Sequence, residues 1–316
     1  MKVNANWNEK PVKLKFLLGE IPLFSVRLSM LTLDSHFTEL LGNGEQAAMS
    51  MEQVPSTADG FLVRSLPAGE SLPRLRVLPD SLQYVPAQYQ RFYLEMQPSF
   101  AEYLRKFSPK SRHTLRRKVR KFAEFSGGHV DWREYRSSED MQEFYRLARQ
   151  VSTLTYQERL LKAGLPESED FQRTVVTLAS RGLARGYLLY YHGRAISYMF
   201  CTLSGLDILL YRYVGFDPKF QSWSPGTVLF YLAVEKLFAQ REFRILDFTE
   251  GEGDQKRFFA TGSIRCADVY HFRRSGRILF LIVLHSVADF VSRATVRVLD
   301  GLNLRARVKK FLRSRA

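Results

Sequence analysis

Alternating apolar and polar side chains, the pattern of strands in a sheet, occupy two parts of the chain. Near the N-terminus, "VKLKFLL" and "FSVRLSMLTL" are separated by the turn "GEIP" and predict two strands within residues 11–33. The short apolar segment "GFLVRSL" suggests one more strand. Residues 184–217 divide at the turns "HGR" and "SGLD" into three further runs. These runs predict an antiparallel meander.

A period of about 3.6 residues predicts helices elsewhere. The clearest covers residues 109–125, where Leu115, Val119 and Phe122 recur on one face. Ser108 can cap this helix, the proline after it suits the first turn, and "SGG" ends it. Further helices are predicted at "EDMQEFYRLARQVSTLTYQERLL", at "SEDFQRTVVTLASRG", after the motif "SPG", and at about 278–300.

The order of these elements predicts the fold class. After the meander come the loop "DPKFQSWSPG", a helix, the apolar strand "ILDF", a helical turn at "KRFF" and the strand "CADVYHFRR". A strand–helix–strand crossover joined to a meander indicates an α+β fold with a mixed, mostly antiparallel sheet flanked by helices.

The loop before the predicted helix has two interpretations. A helix N-terminus presents unpaired N–H groups and the positive end of the helix dipole, which suits a phosphate. Gly226 permits close approach of a bound group, and Ser224 and Thr227 add hydroxyls. The alternative is that Ser224 only caps a helix with Pro225 at its first position, and that nothing binds.

Charge is distributed unevenly along the chain. The net charge is +15, yet residues 101–125 alone carry nine Lys or Arg against two Glu, and residues 301–316 carry six Lys or Arg and no acid. These two segments hold 13 of the 15 excess charges. The asymmetry indicates a polyanionic or phosphate-bearing partner at two places.

The remaining composition favours a cytoplasmic protein. Two cysteines, Cys201 and Cys266, are too few for a disulfide framework. We expect Cys201, in the middle of a strand, to belong to the core. The first residues lack the apolar segment of a signal peptide, and the longest apolar run, "ILFLIVL", is far shorter than the ~20 residues of a membrane span.

Three segments carry a resemblance to a known family. "FSPKSRHTLRRKVRKF", "YRYVGFDPKFQSWSPGTVLF" and "LDFTEGEGDQKRFF" occur in the order seen in the FemAB-related, polysaccharide-associated branch of the GNAT acyltransferases. The resemblance covers about residues 95–275. It implies a GNAT-like core in which residues 224–227 hold the diphosphate of acetyl-CoA or another acyl-CoA, while the next strand splays away to admit the donor.

The resemblance also implies a domain division. Residues 1–94 form a β-rich N-terminal part, with a degenerate GNAT-like half as one option, and residues 276–316 form an amphipathic helix with a basic tail. One departure concerns the donor, because the loop after Gln221 contains a single glycine where the common GNAT loop has two. The FemAB branch departs in the same way, and some of its members use aminoacyl-tRNA, so both donors stay open.

Acyl transfer needs an activated acceptor and a proton for the leaving group. Asp247 ends the strand "ILDF", where a buried carboxylate can accept a proton, and Lys256 can pair with a phosphate or hold Asp247. Tyr211 and Tyr213, expected on one face of a strand, can contact the substrate and protonate the leaving thiolate. Glu250 is a candidate for substrate binding. The alternatives are a solvated acidic turn and tyrosines that serve only in packing.

Arg112, Arg116 and Arg120 form a stripe on the basic helix that suits a diphosphate, an acidic sugar or tRNA, although a solvated helix face is an equal explanation. No nucleophile elbow, Cys–His arrangement or metal-ligand spacing is present, so no metal is predicted. The C-terminal helix and tail permit contact with the inner face of a membrane, or docking of the helix on the core.

We therefore predict a GNAT-like N- or O-acyltransferase acting on small molecules. The expected acceptor is an amino or hydroxyl group, with nucleotide sugars and polysaccharide or lipid precursors as the candidate classes. Two alternatives are an aminoacyl-tRNA-dependent transferase and a non-catalytic module that binds anionic lipid or nucleic acid.

Overall fold

The computed structural model of the chain describes residues 7–19, 21–34, 49–69, 71–96, 99–155, 158, 164–205, 207–251 and 253–301. These residues form two compact units. The first contains residues 7–91, 250–251 and 263–301, and the second contains residues 92–249 and 253–262. The basic tail after residue 301 lies outside the described residues.

The described strands and helices are as follows. The strands are β1 (Asn8–Leu18), β2 (Ile21–Asp34), β3 (Gly60–Pro67), β4 (Leu75–Val77), β5 (Ser81–Tyr84), β6 (Gln88–Glu95), β7 (Trp132–Tyr135), β8 (Ala184–Tyr191), β9 (Arg194–Ser204), β10 (Ile208–Phe216), β11 (Ile245–Asp247) and β12 (Gly262–Arg273). The helices are α1 (Phe100–Arg105), α2 (Pro109–Phe125), α3 (Ser138–Thr153), α4 (Glu169–Ser180), α5 (Pro225–Gln240), α6 (Asp254–Phe259) and α7 (Gly276–Gly301), with 3-10 turns at Met51–Gln53 and Pro218–Trp223.

The first unit is a sheet covered by α7. β1 and β2 form an antiparallel hairpin, β2 pairs parallel with β3, and β3 pairs antiparallel with β12. β12 also pairs with β5, and β5 with β4. Alternate residues of β1, including Val12, Leu14 and Phe16, pack in one core with Ile278 and Ile282 of α7. The helix therefore buries one apolar face of the hairpin.

The second unit is a mostly antiparallel sheet with helices on both faces. Its strands lie in the order β7, β8, β9, β10, β11 and residues 92–95 of β6, and β10 with β11 is its one parallel pair among the described strands. One core contains side chains of α1, α2, α5 and α6, and the other contains side chains of α3 and α4. The prediction of an α+β fold with a mixed, mostly antiparallel sheet and flanking helices is confirmed.

Local signals fixed some boundaries better than others. α2 begins and ends where predicted, with the Ser108 hydroxyl accepting from the Ser111 N–H at 3.2 Å. The helix predicted over 139–161 ends earlier, at Thr153. Residues 156–157 and 159–163 of that prediction lie outside the described residues. β4, β5, β6, β7 and α1 were not predicted. All except β6 have six residues or fewer, and segments this short depend on their partners rather than on their own periodicity.

Candidate functional site

Gly215 stands near the end of β10, where no larger residue fits without a shift of its neighbours. A Cβ at this position would lie 2.6 Å from the Tyr198 ring and 2.7 Å from Thr155 Cγ2. Such distances are well below van der Waals contact, so the glycine of "GFD" is explained by packing alone.

Asp217, the last residue of the same motif, organises the loop that leads to α5. Its side chain is 2% exposed and accepts hydrogen bonds from the Lys219 N–H at 3.0 Å and from the Arg194 guanidinium at 2.7 Å. Its own N–H donates to Ile196 O at 2.8 Å. The carboxylate thus caps the 3-10 turn Pro218–Trp223. The sequence analysis overlooked this role, although an Asp before a proline at a turn is a usable signal.

Stacked aromatic rings hold the loop against the end of α2. Phe125 lies between Trp223 and Tyr191, with centroid distances of 4.0 Å and 4.4 Å and nearly parallel planes. Phe220 packs edge-on against Phe125 at 6.4 Å. The basic helix therefore supports the segment that immediately precedes α5.

Ser224 begins α5 in an unusual conformation. Its φ is 53° and its ψ is 47°, the left-handed region, and its side chain makes no capping hydrogen bond. The serines that precede α1, α2, α3 and α4 all cap with their hydroxyls. The interpretation of Ser224 as a side-chain cap is therefore wrong, while Pro225 does occupy the first helical position. A strained residue costs about 1–3 kcal/mol and is often found where a ligand binds.

The start of α5 offers fewer amide donors than predicted. The Ser224 N–H donates to Gln221 O at 3.1 Å, Pro225 has no N–H, and the Thr227 N–H donates to Ser224 O at 2.9 Å. Within the part of the chain that the structure describes, the Gly226 N–H has no acceptor, and the Ser224 and Thr227 hydroxyls make no hydrogen bond. All three residues are partly exposed. An anion here would thus meet one amide, two hydroxyls and the helix dipole.

The parallel pair β10 and β11 parts after three residues. Pairing runs from Ile208 with Ile245 to Leu210 with Asp247, where β11 ends, while β10 continues for six residues to Phe216. The crossover between the two strands is the loop and α5. β10 thus runs on past the end of β11 toward the loop that leads to α5, which agrees with the splayed strand that the resemblance implied.

Asp247 is fully buried at the point where the strands part. Its Oδ1 accepts from the Thr249 N–H at 2.8 Å, and Thr249 has a φ of 60°. The Thr249 hydroxyl donates to Tyr211 O at 3.4 Å. The carboxylate therefore holds a tight turn that places a hydroxyl beside β10. Its predicted role as a base stays a prediction.

Tyr211 and Tyr213 lie on opposite faces of the sheet, so their expected common face is wrong. The register of β10 against β9 shifts between them, with Arg212 as the extra residue of a bulge. Tyr211 packs edge-on to Phe230 and Phe248 in the core that faces α5, whereas Tyr213 lies in the core that faces α3 and α4. Burial raises the pKa of both phenols. Each hydroxyl is consequently protonated at neutral pH, which is the state of a proton donor.

Lys256 and Glu250 belong to different units. Lys256 is partly buried on α6, and Glu250 is exposed and belongs to the first unit. The sequence analysis missed Lys106, whose ammonium donates to Phe258 O at 3.0 Å and to Ala260 O. It thereby satisfies carbonyls at the C-terminal end of α6, and burial lowers its pKa to about 8. The roles of Lys256 and Glu250 stay predictions.

The basic helix α2 buries its apolar side and exposes most of its charge. Leu115 and Phe122 are in the core that faces α5. Arg116 lies near the Tyr231 hydroxyl on α5 and opposes the rise that burial causes in the pKa of that phenol, and Arg120 forms an exposed ion pair with Glu124 at 3.7 Å. The stripe containing Arg112 thus remains available to an anion along part of its length.

Other features lie away from these residues. Among the described residues, no group of three or more His, Cys, Asp or Glu side chains is placed to hold a metal ion. A groove of about 780 Å³ runs along α3 and α4, with Arg146, Arg149, Glu139 and Glu143 among its lining residues. None of the predicted site residues lines it. Cys201 is fully buried, as expected of a core residue.

Comparison with known proteins supports an acyltransferase. Residues 109–257, slightly less than half of the chain, match the model of the acetyltransferase (GNAT) domain. This range contains α2, the loop before α5, the parted strands and Lys256. A search of curated proteins found no significant match.

Several solved structures are similar at low sequence identity. They include FemX (11% identity, 87% of this chain and 90% of that chain, TM-score 0.49) and the C-terminal domain of a putative lysylphosphatidylglycerol synthetase from Agrobacterium fabrum (9% identity, 73% of each chain, TM-score 0.48). A third is L-PGS from Bacillus licheniformis (12% identity, 72% and 73%, TM-score 0.44). At these TM-scores the similarities establish neither donor nor acceptor.

Proposed function

We propose that the chain is an acyltransferase that moves an acyl group from acyl-CoA to an amino or hydroxyl group. The family match over residues 109–257 supports the class of enzyme. The observation that carries the proposal is the parting of β10 and β11 after Leu210 and Asp247, since β10 runs on for six residues toward the loop and the partly exposed start of α5. An extended thioester arm can enter a parted strand pair while its diphosphate meets the helix N-terminus.

Each residue has a role in this proposal. Gly226 N–H and the hydroxyls of Ser224 and Thr227 bind the diphosphate. Tyr213, which stays protonated at neutral pH, donates a proton to the departing thiolate. Asp247 acts as a positioning residue, because a fully buried carboxylate that already accepts from the Thr249 N–H is better placed to hold that turn than to contact an acceptor.

The acceptor class is proposed from its chemistry. The arginine stripe Arg112, Arg116 and Arg120 suits an anionic acceptor such as a nucleotide sugar or a phosphate-bearing polysaccharide or lipid precursor. Lys256 would complete the pocket that binds this acceptor.

Donor binding is tested by thermal unfolding with acetyl-CoA, CoA and longer acyl-CoAs. A ligand at 100 times its Kd stabilises the native state by about 2.7 kcal/mol. A Cβ on Gly226 meets only Phe216 Cδ1, at 3.4 Å, so Gly226→Val should fold and yet fill the approach to its N–H. Gly276→Ala, where a Cβ meets nothing within 4 Å, is the matched control. The donor assignment would be overturned if no CoA derivative raised the Tm, or if the rise in Tm were the same for Gly226→Val as for the unchanged protein.

Proton donation is tested separately. Tyr213→Phe should lower kcat by ~10²-fold or more and leave the donor Kd unchanged, since general acids contribute about 10²–10⁴-fold. An unchanged kcat would remove Tyr213 from the mechanism and leave the donor site intact.

A second candidate, an aminoacyl-tRNA-dependent transferase, is favoured by one observation. The start of α5 has a single unpaired amide, while α2 exposes much of its charge. Binding of tRNA with a steep dependence on salt, lost in the exposed-site variant Arg117→Glu/Lys121→Glu, would favour this candidate. If neither CoA nor tRNA binds and Tyr213→Phe is without effect, the non-catalytic alternative gains support.

A further inference from the structure

The C-terminal helix α7 has two apolar faces, and only one is covered. Ile278, Leu281 and Ile282 are buried in the core of the first unit. The opposite side exposes a continuous set of large apolar side chains. They are Leu279, Phe280, Val283, Leu284, Val287, Phe290, Val291 and Val298, and we call them the outer face of α7.

The turn of the β1–β2 hairpin extends this apolar surface. The Gly19 N–H donates to the Ser292 hydroxyl of α7 at 2.8 Å, so the hairpin end lies beside the helix. Leu17, Leu18, Leu23 and Phe24 are exposed there. Twelve of the fifteen exposed large hydrophobic side chains among the described residues belong to the outer face or to this hairpin end. Apolar surface concentrated in this way marks an interaction site.

Buried polar contacts fix which face of α7 points inward. The Tyr84 hydroxyl and His285 Nδ1 hydrogen-bond at 2.6 Å, and His285 Nε2 contacts Lys15 O at 3.1 Å. Arg74 forms an ion pair with Asp289 at 2.6 Å. The sequence analysis expected no segment long enough to span a membrane, and by length and composition this expectation is wrong, since residues 276–298 of α7 could cross one. Spanning would require these groups to lose their partners and Asp289 to enter hydrocarbon, which is costly.

Charge around the outer face is positive. Arg277, Arg293 and Arg297 are exposed on α7, and its Asp289 is already paired with Arg74 and Arg293. The chain then continues for fifteen residues that contain six Lys or Arg and no acid. Two copies meeting at this face would bring their arginines together, whereas an anionic surface would complement them.

We propose that the outer face of α7 and the β1–β2 hairpin end bind the interface of an anionic lipid bilayer, with α7 lying in the plane of the membrane. Apolar side chains enter the boundary between headgroups and acyl chains while the exposed arginines of α7 contact anionic headgroups. This inference does not depend on the proposed acyl transfer.

The test is co-sedimentation of the full chain with vesicles of phosphatidylglycerol and phosphatidylcholine (3:7), compared with vesicles of phosphatidylcholine alone. The variant Phe280→Glu/Phe290→Glu changes two side chains that are 69% and 65% exposed, so its fold should be unaffected. Val77→Glu, at another exposed apolar position of the first unit, is the matched control. Circular dichroism verifies folding of each variant.

We expect binding to anionic vesicles to exceed binding to neutral vesicles at least tenfold and to fall as salt is raised. The double variant should bind anionic vesicles at least tenfold more weakly than the unchanged protein, and Val77→Glu should bind them equally well. Equal binding by the double variant would overturn the proposal. A dimer that forms without vesicles and is abolished by the same two substitutions, with no vesicle binding, would assign the face to a second copy and also overturn it.

Discussion

Replacing Asp217 by alanine tests what holds the loop before α5. The carboxylate accepts hydrogen bonds from the Lys219 N–H at 3.0 Å and from the Arg194 guanidinium at 2.7 Å. The aspartate is 1% exposed and Arg194 is 57% exposed at its side chain. Loss of the cap is expected to cost about 1–2 kcal/mol, and loss of an ion pair with a solvated arginine about 0.5–1 kcal/mol. Asp217→Ala should therefore reduce the free energy of unfolding by about 1.5–3 kcal/mol.

Arg194→Ala separates the two contributions. Because its side chain is largely in water, its removal lets water reach the aspartate Oδ2, and we expect a loss of about 1 kcal/mol or less. Asp207→Ala, which breaks an exposed ion pair with Arg244 at 2.8 Å, should cost a similar amount and serves as control.

Urea unfolding followed by tryptophan fluorescence is the appropriate assay, because Trp223 belongs to this loop and stacks on Phe125 at the end of α2. Unchanged m-values are required for the comparison. If Arg194→Ala is as destabilising as Asp217→Ala, the ion pair rather than the backbone cap holds the loop, and the reasoning is refuted. Asp217→Ala should also weaken donor binding, because the loop positions Ser224–Thr227.

Three further predictions concern packing, thiols and pH. Gly215→Ala should lower stability by about 1–3 kcal/mol in urea unfolding, since the added methyl overpacks a filled site; an unchanged midpoint would contradict this. Cys201 and Cys266 are fully buried, so a thiol reagent should label neither until the chain is unfolded, and rapid labelling of the native protein would disprove their burial. Burial lowers the pKa of His285 below its ordinary value of 6.5. The unfolded chain therefore binds this proton at a higher pH than the native state does. The contribution of His285 to stability should be constant above pH 6.5 and decrease as the pH falls below it, and His285→Asn should reduce this slope.

Segments with strong local signals were predictable from the sequence. α2 is bounded by Ser108 and by "SGG", and both signals act within one turn of the helix. The meander β8–β10 was divided correctly because the backbone at His192, Gly193 and Gly205 has positive φ, which the turn residues supply. The predicted site likewise rested on a local motif, the "SPG" that starts α5.

Features that depend on distant partners were not predictable. The bulge at Arg212 reverses the face of Tyr213, and it arises from the pairing of β10 with β9. The carboxylate of Asp217 meets Arg194, and Phe125 meets Trp223, only because β9, α2 and the loop converge.

The sequence by itself determined the order of elements from β8 to β12, the α+β class, the basic character of α2 and the start of α5, because each follows from periodicity, turn residues or charge over short distances. The tertiary structure decided how many amides of that start remain unpaired, that Asp247 is enclosed, and which side of α7 faces outward. A helix that is apolar around much of its circumference carries no sequence signal for its buried side. The contacts of His285 and Asp289 with residues more than 190 positions away select it.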